Sequence, residues 1–157
     1  MSKYLMNHNA SLNELQFTLL GDALGDDIAK MFDILMETGL DNVSQGFWIW
    51  DIDDNLELYS PKFREILGYD GELDFPSNPD SWQKAIDQKY LPGVMRTFEK
   101  HVESRGKEPY IQRVVYNKKN GGKVPVLCHG KVVVWSEDDK PLVMIGVHMT
   151  FDGLYKV

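Results

Sequence analysis

The residues that could do chemistry in this sequence are few, and their spacing matches no catalytic or metal-binding motif. Serine, histidine and aspartate are present, but the chain has no nucleophile elbow, glycine-rich phosphate loop or zinc-type spacing of histidine and cysteine. Asp51, Asp53 and Asp54 could be imagined as a cation site, yet the run lacks the glycine and the bidentate glutamate of a calcium loop. We therefore interpret it as a turn, because Asp side chains bond to their own backbone.

Polar and aromatic side chains on neighbouring strands could instead line a pocket for a small molecule. Because successive side chains of a strand point to opposite faces, every second residue from Tyr110 to Tyr116 shares one face. A few polar groups within an apolar wall are the usual make-up of such a pocket. The alternative is a solid core whose hydroxyls bond locally. The candidate lining residues are Trp48, Trp50, Tyr59, Tyr110, Gln112, Val114, Tyr116, Val126, Cys128 and His148.

The stretch from Gly46 to Tyr69 supplies the first elements that would position these residues. Phe47 to Ile52 is rich in aromatic and β-branched residues and predicts a strand, and Leu56 to Tyr59 resumes the strand pattern after the acidic turn. Ser60-Pro61 is typical of a helix N-cap followed by the first helical position. Gly68 then ends this short helix.

Two amphipathic helices are predicted before this stretch. Ser11 and Glu14 have the spacing of a capping box, and apolar residues at helical spacing follow them. Short helices are not stable alone in water, so their apolar stripes must pack on another surface. The predicted surface is the domain's own sheet. The alternative is that part of the apolar stripe also forms a dimer contact. The second stripe, ended by Gly39, contains Ile28, Met31, Phe32, Leu35 and Met36.

Further helix and strand signals follow this unit and complete the predicted fold. Asn78-Pro79 starts a helix, and Pro92 lies in the first turn of a longer helix that Gly106 ends. The fold class is therefore α+β, a five-stranded antiparallel sheet with helices inserted between the second and third strands, plus an N-terminal helical extension. The last three strands are Tyr110 to Asn117, Lys123 to Trp135 and Leu142 to Phe151.

Alternation along the longest strand assigns the two faces of the sheet. One set is uniformly small and apolar and is assigned to the concave side, under the helices: Val124, Val126, Cys128, Gly130, Val132 and Val134. The other set carries bulky apolar residues that should not face water bare, and the N-terminal helices are their predicted cover. The candidates for this outer face or a dimer contact are Leu19, Phe32, Leu35, Leu127, Trp135 and Val147.

Length and composition restrict the class of protein. With 157 residues, of which 43% are hydrophobic and 26% charged, the chain is typical of one soluble globular domain. Its net charge of -7 argues against a nucleic-acid or anionic-membrane partner, since both would repel it. No run approaches the roughly eighteen apolar residues of a membrane span. The single cysteine excludes an internal disulfide and suits a reducing, cytoplasmic compartment.

The order of several short motifs resembles a known family. The opening of a PAS sensory domain, of the PAS fold 3 type, is similar to Gly46-Phe47-Trp48-Ile49-Trp50-Asp51, then Tyr59-Ser60-Pro61 with Phe63, then Leu67-Gly68-Tyr69. Its closing strands look like Arg113 through Gly121, Cys128-His129-Gly130 and Met144 through His148. The resemblance covers roughly residues 43–151. It implies a domain at 43–152, preceded by a helical extension at 1–42 and followed by a linker or tail at 153–157.

The sequence also departs from the family's pattern. Asp87-Gln88-Lys89-Tyr90 stands where the family usually carries a His-Pro-Asp-Asp-like turn, although a polar turn is preserved. Phe151-Asp152-Gly153-Leu154 departs from the Asp-Ile-Thr start of the family's helical linker. The chain is therefore expected to be either a part of a longer signalling protein or a module that stands alone.

The resemblance raises the question of haem and flavin, and the sequence argues against both. Haem-binding PAS domains place their axial ligand nearer the start of the long helix than His101, which instead suits a histidine facing the helix dipole. Flavin-binding light sensors carry an Asn-Cys-Arg-type helical motif, whereas Cys128 lies in mid-strand and is interpreted as a buried, inert thiol. The cofactor stays unknown.

The resemblance implies a sensory or regulatory module, not an enzyme, that forms a homodimer and acts on an effector domain in cis, such as a histidine kinase or a diguanylate cyclase. In this hypothesis a small molecule or partner shifts the populations of two packings of helices on the sheet. One alternative is a structural dimerisation module with a filled core. Another is a small enzyme, but the inward-facing sets offer His148 without a matching carboxylate.

Overall fold

A computed structural model describes residues 27–149 of the chain. The order of its helices and strands is α1 (Ile28–Glu37), α2 (Leu40–Val43), β1 (Phe47–Asp51), β2 (Leu56–Tyr59), α3 (Pro61–Ile66), α4 (Gly71–Asp74), α5 (Pro79–Ala85), α6 (Leu91–Glu103), β3 (Tyr110–Asn117), β4 (Lys123–Trp135) and β5 (Pro141–Met149). A short 3-10 turn, Gln88–Tyr90, connects α5 to α6.

The five strands form one antiparallel sheet in the order β2-β1-β5-β4-β3. Helices α3 to α6 lie between the second and third strands in the chain, so the predicted α+β architecture is confirmed. The capping box at Ser11, the outer-face candidate Leu19 and the predicted strand end at Phe151 lie outside the described residues.

Ser60 joins the start of α3 to the sheet. Its hydroxyl oxygen accepts the backbone N–H of Phe63 at 3.3 Å, as predicted for an N-cap. The same oxygen accepts the backbone N–H of Phe47 at 3.0 Å, at the first residue of β1. Gly68 follows α3 with a φ of 84°, the left-handed conformation that commonly ends a helix. Both predicted boundaries of this helix are confirmed.

Gly46 allows the chain to pass close to α3 just before β1. Its φ is 109°, and a Cβ atom at this position would lie 2.5 Å from the Cα atom of Phe63. A side chain would therefore collide with backbone atoms, which cannot move as the end of a flexible side chain can. The close approach brings the ring of Phe63 into the core on the inner face of the sheet.

The sheet separates two apolar clusters. On its inner face, Trp48, Tyr110 and Val126 pack with side chains of α5 and α6. On its outer face, Met31 and Leu35 of α1 pack against side chains of β1 and β5, namely Phe47, Ile49, Val143, Ile145 and Val147. The predicted cover of the outer face by the N-terminal segment is therefore confirmed for α1.

The face assignment at the end of β4 was wrong, because a bulge interrupts its alternation. The pairing with β5 shifts register between Val132 and Val134 and again between Val134 and Trp135. An extra residue in one strand moves the following side chains to the other face. Val134 consequently packs against the outer cluster, and Trp135 packs against the inner one, the reverse of the prediction.

His101 connects the end of α6 to this irregular part of β4. The backbone N–H of Val132 donates to the Nε2 atom of His101 at 3.1 Å. Because an amide N–H can only donate, Nε2 accepts, and the proton lies on Nδ1. Nδ1 is 2.7 Å from the carbonyl oxygen of Glu108, to which it donates. Both ring nitrogens of this buried histidine are thus bonded to backbone groups, whereas the sequence suggested an interaction with the helix dipole.

Candidate functional site

A cavity lies between the inner face of the sheet and helices α5 and α6. Its volume is about 50 Å³, which is enough for a few water molecules or a ligand of only a few atoms. Its wall is mainly apolar and aromatic, with a few polar groups, as is usual for small-molecule sites. The predicted lining residues that the structure brings together in this wall are Trp48, Trp50, Tyr110, Gln112, Val114, Tyr116 and Cys128.

Three predicted lining residues lie beside the cavity and not in its wall. The hydroxyl of Tyr59 donates to the carbonyl oxygen of Asn78 at 2.7 Å. Val126 is fully buried in the inner cluster. The ring centroid of His148 lies 4.8 Å from that of Phe63 and 5.3 Å from that of Tyr116. All three belong to the layer of core that supports the wall.

Sequence reasoning missed the other residues of the wall. Most of them come from α5, α6 and the turn between them, and helical periodicity does not tell where a helix lies over a sheet. The strand residues among them could have been found by alternation, since Glu57 is two residues from Tyr59 and Met144 is four residues from His148. The missed residues are Glu57, Phe63, Trp82, Gln83, Ile86, Val94, Met95, Phe98 and Met144.

Glu57 and Trp50 form the polar part of the wall. They are directly opposite each other on β2 and β1, so their side chains emerge side by side on the inner face. Glu57 is 3% exposed, and burial raises the pKa of its carboxyl from 4.5 to about 8, although a hydrogen bond from the Trp82 side chain lowers it. Among residues 27–149, the Oε1 atom of Glu57 and the Nε1 atom of Trp50 are buried without a hydrogen-bond partner.

The other titratable groups near the cavity are also held in their neutral forms. Burial raises the pKa of the Cys128 thiol to about 12, against a lowering by the hydrogen bond with Trp48. Burial likewise raises the pKa values of the Tyr110 and Tyr116 hydroxyls well above their ordinary range. For His148, burial lowers the imidazole pKa from 6.5 to about 3. The cavity therefore offers an uncharged environment at neutral pH.

This arrangement is suited to binding. The enzyme hypothesis required two ionisable groups held together, and sequence reasoning found no carboxylate for His148. The structure does place a carboxyl in the wall, that of Glu57, which sequence reasoning had overlooked. His148 lies outside the wall, so the wall does not hold the two groups together.

A hydrogen bond connects β3 to α6 across the cavity. The side-chain amide of Gln112 donates to the carbonyl oxygen of Gly93 at 3.2 Å.

The outer-face candidates fall into different environments. Leu35 of α1 and Val147 of β5 are both buried in the contact between α1 and the sheet, within the single chain. Half-buried Phe32 packs its ring 5.3 Å from that of Phe47. Leu127 is half-buried on β4. Trp135 belongs to the inner cluster, as described above.

Three further features of residues 27–149 bear on function. Within this range, no three His, Cys, Asp or Glu side chains are grouped so that they could hold a metal ion. The backbone N–H of Asp54 donates to the Asp51 carboxylate at 3.1 Å, so the acidic run serves as a turn. The helices of the described range are all too short or too polar to cross a membrane.

Comparison with known proteins identifies the family. The family model described as the PAS fold matches residues 57–148, more than half of the chain. No curated protein matches the chain. A sensory box histidine kinase/response regulator from Burkholderia thailandensis is similar in structure, with a TM-score of 0.63 and 20% identity over 78% of this chain and 88% of that chain.

Two other solved structures share the fold at low sequence identity. The PAS domain of a protein from Colwellia psychrerythraea has a TM-score of 0.57 and 12% identity over 80% of this chain and 98% of that chain. The N-terminal domain of a diguanylate cyclase with PAS/PAC sensor, from Marinobacter aquaeolei, has a TM-score of 0.58 and 13% identity over 71% of this chain and 98% of that chain. With its sheet order, inserted helices and family match taken together, the chain belongs to the PAS family.

Proposed function

We propose that this chain is the sensory input module of a signalling protein and that its cavity binds a small, uncharged molecule. The observation that carries the proposal is the cavity itself, which combines an aromatic wall with the buried carboxyl of Glu57. A histidine kinase/response regulator and a diguanylate cyclase contain domains of similar structure. By analogy with those proteins, we propose an effector domain in cis, a homodimer and a cytoplasmic location.

Strand β1 offers a route by which cavity occupancy could reach the other side of the sheet. Trp48 and Trp50 face the cavity, whereas Phe47 and Ile49 lie under α1 on the outer face. A ligand that prefers one position of the tryptophan side chains would bias the position of this strand, and with it the packing of α1. In this proposal the signal is a shift between two packings of α1 on the sheet.

Native mass spectrometry of the freshly purified chain, combined with a measurement of its size in solution, tests this function. We expect an additional small-molecule mass that is lost under denaturing conditions. A stable dimer without bound mass would instead favour a structural dimerisation module with a filled core. An absorbance spectrum of the same sample reports any haem or flavin.

A matched pair of variants at Cys128 connects the bound mass to the cavity. Cys128→Phe adds a ring where the thiol lines the wall, so it should abolish binding, whereas Cys128→Ala leaves the cavity open and should retain it. Bound mass that survives in a folded Cys128→Phe variant would show that the molecule binds elsewhere.

A further inference from the structure

The outer face of the sheet extends beyond the part that α1 covers. Helix α1 packs over β1 and β5, where Ile49, Ile145 and Val147 are fully buried. The face continues onto β4, since His129 and Lys131 stand directly opposite Val147 and Ile145. It ends on the edge strand β3. We name this second part the β3–β4 outer face, and it consists of Ile111, Arg113, Val115, Leu127, His129 and Lys131.

The β3–β4 outer face combines apolar and basic side chains. Ile111 is 50% exposed, and Leu127 is half-buried. Val115 is 7% exposed, although it belongs to neither of the two apolar clusters that the described residues form. The charged side chains of the face, Arg113 and Lys131, are both basic. An amphipathic element that carries acidic residues would therefore complement this face.

We propose that residues 11–23 of the same chain pack as a helix on the β3–β4 outer face, beside α1. The apolar stripe of this segment would face the sheet, and it consists of Leu12, Leu15, Leu19, Leu20 and Ala23. Between residues 11 and 26 the sequence contains Glu14, Asp22 and Asp26 but no Lys or Arg, so its charge is opposite to that of the face. The inference does not depend on whether the cavity binds a ligand.

The dimensions of the segment match those of the face. A helix over residues 11–23 would be about 20 Å long. Along β4, the face runs from Pro125, which stands opposite Val115, to Lys131, and these six steps also span about 20 Å. Neighbouring packed helices lie about 8–10 Å apart, and residues 24–27 in extended form reach about 13 Å. The chain that precedes α1 is therefore long enough to place a helix at its side.

A second copy of the chain fits this face less well. Two copies related by a two-fold axis would present the same surface to each other. Arg113 and Lys131 of one copy would then approach the same basic groups of the other, and like charges repel. Cover by the acidic segment of the same chain avoids this repulsion and continues the existing contact between α1 and the sheet.

A nitroxide label on the segment tests this packing in the full chain. The label is attached to Thr18→Cys, which lies off the apolar stripe, in a Cys128→Ala background that contains no other cysteine. In the ¹⁵N-labelled chain, we expect the nitroxide to weaken the amide signals of Ile111 and Leu127 several-fold relative to the sample reduced with ascorbate. The amide signal of Glu99, on α6 at the other side of the sheet, should change far less.

A mixed sample separates packing within one chain from packing between chains. It contains the nitroxide-labelled chain without ¹⁵N and the ¹⁵N-labelled chain without nitroxide. Packing within one chain predicts full signals of Ile111 and Leu127 in this sample. Weakened signals there would show that the segment of a second copy covers the face, and this would overturn the proposal. Full signals in both samples would overturn it as well.

A charged substitution in the face provides a matched pair of variants. Ile111→Asp should release the segment and restore the Leu127 signal, whereas Val43→Asp should not, because Val43 is 62% exposed on α2. The indole N–H signals of Trp48 and Trp50 report whether each variant is folded. A weakened Leu127 signal in folded Ile111→Asp would contradict the proposal.

If Ile111→Asp does not fold, the double variant Arg113→Glu with Lys131→Glu takes its place. It reverses the charge of the face without changing its apolar residues, and repulsion from the acidic segment should restore part of the Leu127 signal. A Leu127 signal as weak as in the unaltered face would overturn the proposed charge complementarity and, with it, the proposal.

Discussion

Two buried titratable residues should set the pH range in which the domain is most stable. Burial raises the Glu57 pKa from 4.5 to about 8, so its contribution to stability is complete below pH 4.5 and is lost as the pH rises to about 8. Burial lowers the His148 pKa from 6.5 to about 3, so its contribution is complete above pH 6.5 and is lost as the pH falls towards 3.

The first prediction follows from these opposite slopes. The free energy of unfolding should be nearly constant between about pH 4.5 and 6.5, where the two effects cancel, and should fall on either side. Each slope is at most about 1.4 kcal/mol per pH unit. Urea unfolding at a series of pH values measures this free energy of unfolding. Glu57→Gln should flatten the decline above pH 6.5, whereas Glu65→Gln, at an exposed position of α3, should not. Rising stability from pH 6.5 to 8 would contradict the prediction.

A second prediction concerns Gly146, which lies opposite Trp48 in the sheet. A Cβ atom there would lie 2.1 Å from a ring carbon of Trp48, so Gly146→Ala must displace this residue of the cavity wall. We expect a loss of about 1–3 kcal/mol in unfolding free energy and a changed cavity. Thermal and urea unfolding measure the loss.

Gly93→Ala is the matched control for Gly146→Ala. A Cβ atom on this residue of α6 would meet only the end of the Arg96 side chain, at 3.8 Å. Alanine favours a helix more than glycine does, so this variant should gain up to about 1 kcal/mol. If both alanine variants were equally stable, the close contact between residue 146 and Trp48 would be refuted.

The contact between α6 and β4 depends on His101. Removing its ring leaves the buried N–H of Val132 without its acceptor, and His101→Ala should therefore lower the unfolding free energy by about 2–4 kcal/mol. The more specific readout is amide hydrogen exchange, which should accelerate at Val132. Glu99→Ala, at an exposed position on the same helix, should change stability by less than about 0.5 kcal/mol. Unchanged exchange at Val132 would contradict this account.

The elements themselves could be predicted from the sequence because their ends are set by local chemistry. Ser60, Gly68 and Pro92 mark helix boundaries through caps and fixed backbone angles, which neighbouring residues determine. The bulge near Val134 could not be predicted in this way, since it arises from the register in which β4 pairs with β5, and the alternation of residues within one strand does not report that register.

The same distinction between local sequence and tertiary structure applies to the residues of the candidate site. Its strand residues follow from alternation, as Trp48 and Tyr110 show. Its helix residues, such as Trp82 and Phe98, depend on how α5 and α6 lie over the sheet, which is a property of the tertiary structure. Glu57 was missed for a different reason: alternation places it on the same face as Tyr59, but a charged residue near a turn suggests exposure to solvent, and the fold shows that it is buried.

Helix α1 closes the outer face of the sheet over β1 and β5. Leu35 is 2% exposed and packs with β1 and β5 residues in the outer cluster. Leu35→Ala should therefore lower the unfolding free energy by about 2–5 kcal/mol, and Asp33→Ala, on the exposed side of α1, should have little effect. Denaturant unfolding compares the two variants. Equal stabilities would show that α1 does not pack on the sheet in solution.

The positions of the tryptophans give the chain a built-in optical probe. Trp48, Trp50 and Trp82 line the cavity and Trp135 packs in the same inner cluster, and these are all four tryptophans in the sequence. Tryptophan emission from the unlabelled chain therefore originates on the inner side of the sheet, and the described residues on the side covered by α1 include no tryptophan. A shift in the tryptophan emission wavelength on adding a compound reports a change in the surroundings of the cavity. A fluorophore attached to α1 would report the opposite side of the sheet independently.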